Sequence, residues 1–260
     1  MRVLAAGVNP VDCKTRRGAG VSRWVGPPPF VPGWDVAGVV EGKGYGVTRF
    51  ELGDLVYGMP KFPRAAGAYA EYVTAPSRQL ARAPKKASAV EAAALPLAAL
   101  TAWQCLIDVA GVKQGDCVLI HGATGGVGHL AAQMARARGA EVVAAGGPGV
   151  QGVDVALDLV GGEGTAALLG ALKPGGLLLA VADGASDQVK EEGRRRGVRV
   201  VEPLVEPDGH ALDEIAGLVD SGAVEVKITE VFPLERAADA HRRLERGGVR
   251  GKLVLEVSRS

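Results

Sequence analysis

Apolar positions along the chain fall into two textures. Up to about Glu91 they form short runs, "VAGVV" (36–40), "DLVYGM" (54–59) and "AYAEYVTA" (68–75), separated by segments rich in glycine and proline. Runs of this length between turn-forming residues predict strands joined by tight turns. At 90–107, "VEAAALPLAALTAWQCLI" predicts helix interrupted at Pro96, and it marks a domain boundary. From Lys113 strands alternate with helices. "GDCVLIHG" reads as a turn and a buried strand, after which Val127, Leu130, Ala131, Met134 and Ala135 recur at helical spacing with Arg136 and Arg138 off that face. "AEVVAA", "VDVALDLV" and "GGLLLAVA" are continuous apolar strands, the pattern of a parallel sheet covered on both faces. After "EVKITEVF" (225–232), "PLERAADAHRRLERG" predicts a helix with Pro233 near its first turn and Gly247 at its stop, and "GKLVLEV" (251–257) a closing strand.

Composition narrows the partners. The 260 residues, 47% hydrophobic and 23% charged, suffice for one large or two modest domains with real cores. A formal charge of +1 supplies no field to recruit nucleic acid or an acidic membrane, and 4% aromatics leaves few platforms for stacking bases. No apolar run approaches the ~18 residues of a spanning helix, and "MRVLAAGVNPVDCK" lacks the apolar core of a signal peptide. A cytoplasmic location is therefore expected. Cys13, Cys105 and Cys117 are too few and too widely spaced for a C-x-x-C site and read as reduced structural thiols.

The candidate chemistry begins at "HGATGGVGHLAAQ". A strand ending at His121 and a helix starting near Val127 leave Gly125, Gly126 and Gly128 on the turn between them. Ala123 stands where the first glycine of G-x-G-x-x-G usually falls, with Thr124 beside it. Glycine lets the backbone approach a pyrophosphate, and free amides at the helix start point toward it. Alone, such a turn also has a packing explanation; the strand before it and the amphipathic helix after it favour the nucleotide reading.

Motifs along nearly the whole chain extend this reading: "AAGVNPVD" (5–12), "PGWDVAGVV" (32–40), "GDLVYG" (53–58), "GAYAEYV" (67–73), "LPLAALTAWQ" (95–104), "HGATGGVG" (121–128), "DVALDLVGG" (154–162), "LKPGG" (172–176) and "GKLVLEV" (251–257). In this order the sequence resembles the medium-chain dehydrogenase/reductase superfamily, in its zinc-independent quinone oxidoreductase and enone reductase branch. The resemblance implies an α/β protein, with a GroES-like, β-rich catalytic domain into which a Rossmann-type parallel-sheet domain is inserted. The expected segments are 1–93 catalytic, 94–229 nucleotide-binding and 230–260 returning to the catalytic domain. It also implies hydride transfer from NADPH, with NADH as an alternative donor, to a small quinone or α,β-unsaturated carbonyl, and a homodimer as the assembly.

Zinc alcohol dehydrogenases share this framework, but their ligand positions fall at Asn9, Trp34 and near Leu97, none of which supplies a thiolate or imidazole. No metal is expected. Without a metal, reducing an activated double bond needs a placed nicotinamide, a hydrogen-bond donor at the carbonyl oxygen and a proton source. By resemblance Asn9 takes the polar role at the active site, against a turn-forming role before Pro10. Lys14 either donates to an enolate or quinone oxygen or is a solvated lysine. Thr101 packs beside the nicotinamide or caps a helix. Val127 joins the glycine turn in holding the cofactor, and Val160 and Gly161 lie at a strand end lining the cofactor crevice. Tyr69 and Tyr72 read as core or rim residues of an alternating strand. His121 and His129 flank the turn with no triad partner in sight, so both read as structural, and "GRRRG" (193–197) reads as a solvated helix end.

Two departures from the family pattern stand out. Its first strand and hairpin precede "VLAAGVNP", so by resemblance ~25 residues are missing and a neighbouring strand edge is expected to be unpaired. After Ala145 the family has a helix, a third strand and the basic residues that hold the 2′-phosphate; here the chain reads only "GGPGVQG". Ala144, Ala145, Gly146 and Gly147 provide neither an acid for the ribose nor a base for a phosphate. The expectation is an extended crossover and a sheet one strand short, with Arg194 to Arg196 or Lys252 as the distant residues able to rebuild the pocket. A remnant fold or nucleotide-sensing module is the competing reading.

Overall fold

The computed structural model describes residues 1–144 and 149–257. Its first elements are β1 (Arg2–Val8), α1 (Pro10–Arg16), α2 (Ser22–Val25), β2 (Val36–Val39), β3 (Leu55–Gly58), β4 (Leu80–Arg82), α3 (Ala89–Ala94) and α4 (Pro96–Trp103). Next come β5 (Cys117–His121), α5 (Gly128–Ala137), β6 (Glu141–Ala144), β7 (Val153–Asp158), α6 (Gly164–Leu168), β8 (Leu172–Ala180), α7 (Asp187–Arg195) and β9 (Arg199–Val201). The chain closes with α8 (Gly209–Ser221), β10 (Ile228–Pro233), α9 (Ala237–Glu245) and β11 (Lys252–Glu256).

The chain divides into two compact units, Met1–Leu100 with Glu206–Ser260, and Thr101–Val205. In the first, six strands are ordered β10-β11-β1-β2-β3-β4. Only β10 and β11 run parallel; the other neighbours are antiparallel. The closing strand therefore lies beside the opening one, with Ala5 opposite Glu256 and Val8 opposite Leu253. Val3, Ala6, Val36, Phe232, Leu253 and Leu255 form the core on one side of this sheet. The return to this unit starts at Glu206 and not at residue 230 as the sequence suggests, because α8 packs on β4 and is tied to β3 by the Tyr57 hydroxyl, which donates to the Leu212 carbonyl at 2.6 Å.

The run 68–75 is not a strand. It makes one isolated bridge, Tyr72 to Arg2, where Val3 N–H donates to the Glu71 carbonyl and Val73 N–H to the Met1 carbonyl. β11 pairs with β1 only from Ala5 onward, so this segment occupies the short stretch that β11 leaves open. Alternation along 68–75 predicts the direction of its side chains but not a pairing partner long enough for a ladder. Tyr69 is buried in the core, whereas Tyr72 is exposed.

The second unit is a parallel five-stranded sheet ordered β6-β5-β7-β8-β9. Val118, Leu119 and Ile120 are buried in succession, as are Leu177 to Ala180, so both faces of β5 and β8 are covered. α5 buries Leu130, Ala131, Met134 and Ala135 and leaves Arg136 and Arg138 exposed. The strand β6 is an edge: no third strand lies beyond it among the described residues. From β6 the chain crosses β5 and returns as β7, parallel to both. Ala145, Gly146 and Gly147, on which the ribose expectation rests, lie outside the described residues, as does the start of the crossover loop.

Candidate functional site

Asn9 opens α1 as its N-cap, in extended conformation, with Pro10 in the first helical position. It is a helix cap and not a simple turn residue. Its side chain is buried and its orientation is fixed from both sides: Nδ2 donates to Asp35 Oδ2 at 2.8 Å, and Lys252 Nζ donates to Oδ1. Asp35 accepts also from the Leu97 amide at 2.7 Å and lies 3.5 Å from Lys252 Nζ. Burial pushes the Asp35 carboxyl up and the Lys252 ammonium down, while each opposes the shift of the other. Lys252 is thus fully engaged beneath Asn9 and is not the free base that the sequence left available for a cofactor phosphate.

A second chain of bonds leads from this cluster toward the surface. Asp12 Oδ2 accepts from the Asn9 amide at 2.7 Å and from the Tyr69 hydroxyl at 3.1 Å. The Tyr69 oxygen in turn lies 3.2 Å from His241 Nε2, and Arg16 lies 3.2 Å from His241 Nδ1 and 2.6 Å from Glu245. Since Arg16 can only donate, the neutral His241 ring carries its proton on Nε2 and donates to Tyr69. Burial raises the Asp12 carboxyl to about 7, and its Oδ1 has no hydrogen-bond partner among the described residues. Burial, helped by Arg16, lowers His241 to about 4. Between about pH 4 and pH 7 the cluster therefore favours neutral Asp12 and neutral His241.

Of the remaining expected residues in this unit, Lys14 is half-buried on α1. Trp34 is buried against Phe62, its indole N–H donating to the Arg64 carbonyl at 2.8 Å, and Leu97 is buried. Among the described residues no three His, Cys, Asp or Glu side chains converge as a metal would require. The cysteines are free, and burial pushes Cys13 up to about 11 and Cys105 up to about 12, which makes both poor nucleophiles at neutral pH.

In the second unit, Thr101 is buried inside α4, so helix capping is not its role. The turn from Gly122 to Val127 links β5 to α5. Gly125 N–H closes it by donating to the Gly122 carbonyl at 3.0 Å, and among the described residues the Gly126 and Val127 amides donate to no carbonyl. A Cβ on Gly128 would lie 2.2 Å from the Gly122 oxygen, so this glycine allows the helix to start against its own turn. A Cβ on Gly125 would meet only that same oxygen, at 3.3 Å. The turn of Ala123, Thr124, Gly125, Gly126, Val127 and Gly128 thus forms a backbone cradle in which the Gly126 and Val127 amides have no carbonyl partner among the described residues, the kind of donor a pyrophosphate requires.

The strand ends beside this cradle give His121 a partner that the sequence did not show. Parallel pairing sets His121 opposite Asp158, and His121 Nδ1 lies 2.9 Å from Asp158 Oδ1. The same oxygen accepts from the Val160 and Gly161 amides, each at 3.0 Å, and Oδ2 accepts from the Thr165 hydroxyl at 2.5 Å. Burial works against the charge on Asp158, yet the Gly161 amide, Thr165, the Val160 amide and His121 together hold its carboxyl below the usual range. Sequence spacing could not bring together residues 37 apart, although an aspartate inside the apolar run "VALDLV" signals a buried partner. Val160 is exposed and Gly161 buried. His129 Nδ1 lies 2.8 Å from the Gly125 carbonyl and braces the turn. Arg194 pairs with Glu191, and Arg195 and Arg196 with Glu192, so "GRRRG" is a helix end stabilised by its own acids.

Two family models match the chain. Residues 1–85 match the alcohol dehydrogenase GroES-like domain, and residues 130–255 match the zinc-binding dehydrogenase family model. The NAD(P)H oxidoreductase RTN4IP1, mitochondrial, of Danio rerio is 30% identical over 99% of this chain and 83% of its own length. The chain belongs to the medium-chain dehydrogenase/reductase superfamily. Within this superfamily, the quinone oxidoreductase of Sus scrofa is 30% identical over 98% of this chain and 88% of that protein. The solved structure of the quinone oxidoreductase from Coxiella burnetii is 34% identical, covers 99% of this chain and 89% of its own, and superposes with a TM-score of 0.90. A mycobacterial structure in complex with NADPH is 28% identical, covers 99% and 90% of the two chains, and has a TM-score of 0.85. This medium-chain enzyme is an NAD(P)H-dependent, quinone oxidoreductase-like oxidoreductase. Among the described residues no helix is long and apolar enough to cross a membrane.

Proposed function

We propose that the protein transfers a hydride from NADPH to a quinone or α,β-unsaturated carbonyl without zinc. The observation that carries this reading is the set of side chains at the family's zinc-ligand positions: a carboxamide already bonded to Asp35 and Lys252, a buried indole bonded to Arg64, and a buried leucine. None of these can replace a thiolate or imidazole, so alkoxide stabilisation by a Lewis acid has no support here.

When bound, the dihydronicotinamide supplies the hydride. The residues' tasks are then binding and placement: the cradle 122–128 takes the pyrophosphate, Val160 and Gly161 flank the crevice, and Thr101 packs beside the ring. Asn9, held in one orientation, is the polar group of the acceptor site, and Lys14 is the candidate donor to the oxygen on which negative charge develops. Water supplies the proton that completes the reduction. The acceptor is a small molecule and the assembly a homodimer. Loss of NADPH absorbance with a panel of quinones and enones, together with elemental analysis of the active protein, tests the reading. One zinc per chain lost together with activity would overturn it.

The edge position of β6 favours one competing reading, a nucleotide-sensing module that binds the cofactor without turning it over. Cofactor binding with no turnover across the whole panel would select it.

A further inference from the structure

Resting on the dinucleotide reading above, we propose that His121 contacts the bound dinucleotide through Nε2 and that Asp158 is the positioning residue that fixes its ring. β5 lies between β6 and β7, so the chain leaves the C-terminal end of β5 in one direction along the sheet and later returns on its other side. Such a switch point opens a crevice at the carboxyl ends of the two strands. His121 is the last residue of β5, Asp158 the last of β7, and the cradle follows at Gly122.

Asp158 has no exposed surface, and each of its oxygens is an acceptor. Its ionised carboxylate cannot donate, so the proton between it and His121 belongs to Nδ1. In its neutral form the ring then carries its lone pair on Nε2, to which no described residue is hydrogen-bonded. The imidazole is 25% exposed, against 0% for Asp158. Its other edge is seated by an absence: a Cβ on Gly164 would lie 2.7 Å from His121 Cε1. A ring braced by a buried carboxylate, with one acceptor left open beside a phosphate cradle, is arranged to accept a hydrogen bond from a ligand hydroxyl or amide. On a nicotinamide dinucleotide these donors are the ribose hydroxyls and the carboxamide.

Two substitutions separate contact from support. His121→Asn keeps a donor near Nδ1 for Asp158 and removes the atom at Nε2, whereas His121→Gln places a polar atom near Nε2. With NADPH titrated against the full-length protein, His121→Asn is expected to melt like wild type and bind roughly tenfold more weakly, the scale of one neutral hydrogen bond. His121→Gln is expected to recover most of that loss. In the ligand-free protein, long-range proton–nitrogen NMR should show the Nδ1–H tautomer, and NADPH should shift the Nε2 resonance. ADP-ribose identifies the donor: an equal loss for ADP-ribose and NADPH in His121→Asn assigns it to the ribose, and a loss for NADPH alone assigns it to the carboxamide. Wild-type affinity in His121→Asn, or an Nε2–H tautomer, overturns the inference while leaving the function in place. Failure of the wild-type protein to bind either NADPH or NADH overturns the functional reading itself, and the inference with it.

Discussion

Lys252, the first residue of the closing strand, donates from Nζ to the side-chain oxygen of Asn9, 243 residues earlier in the chain. The two meet because β11 pairs antiparallel with β1, and Asn9 directly follows β1. The proposed acceptor-site carboxamide therefore depends on a bond that forms only when the two ends of the chain pair.

Lys252→Met should destabilise the protein by about 3–5 kcal/mol, because it leaves Asp35 buried without its counter-charge. Urea unfolding measures the loss. Asp35→Asn combined with Lys252→Met should recover part of it, and a double variant no more stable than the single one would show that the pair is not coupled.

Stability should have two opposed pH slopes. Asp12 is raised from 3.8 to about 7, so its contribution is fully present below 3.8 and is lost as pH rises toward 7. His241 is lowered from 6.5 to about 4, so its contribution is present above 6.5 and is lost as pH falls toward 4. Between about 4 and 6.5 the two offset each other. Relative to wild type, Asp12→Asn should therefore tilt the curve toward higher stability at higher pH, and His241→Phe should tilt it the other way. Parallel curves for all three proteins in denaturant titrations across this range would refute both assignments.

Glycines of the cradle should separate into folding and binding classes. Gly128→Ala forces a methyl into the Gly122 carbonyl and should cost about 1–3 kcal/mol of stability. Gly125→Ala meets only one atom at 3.3 Å and should leave the melting temperature nearly unchanged while weakening NADPH binding. Gly126→Val should abolish binding by filling the space a pyrophosphate needs. Thermal melts paired with fluorescence titration check this order, and equal effects of Gly125→Ala and Gly128→Ala on both readouts would contradict it.

NADPH and NADH should bind with affinities within about tenfold of each other, a difference of roughly one charge-assisted contact. Arg194, Arg195 and Arg196 are paired with acids of their own helix, and Lys252 is buried under Asn9. Neither set is free to take a 2′-phosphate. A hundredfold preference in a binding titration would mean that another residue holds the adenosine end.

The apolar pattern by itself determined that a strand-and-turn region precedes alternating strands and helices. It also determined that a glycine turn joins β5 to α5 and that a helix breaks at Pro96, because these features depend on local periodicity and backbone freedom. The positions Asn9, Trp34 and Leu97 were equally legible, since the side chains there are not zinc ligands wherever they point. What the chain could not reveal alone is which distant groups meet. Asp158 beside His121 follows from the register of two parallel strands, and Lys252 beneath Asn9 from the pairing of the two chain ends. The failure of 68–75 to form a strand belongs with these, because it depends on how far β11 runs along β1. Buried polar side chains must find partners somewhere, and only the tertiary structure decides which ones.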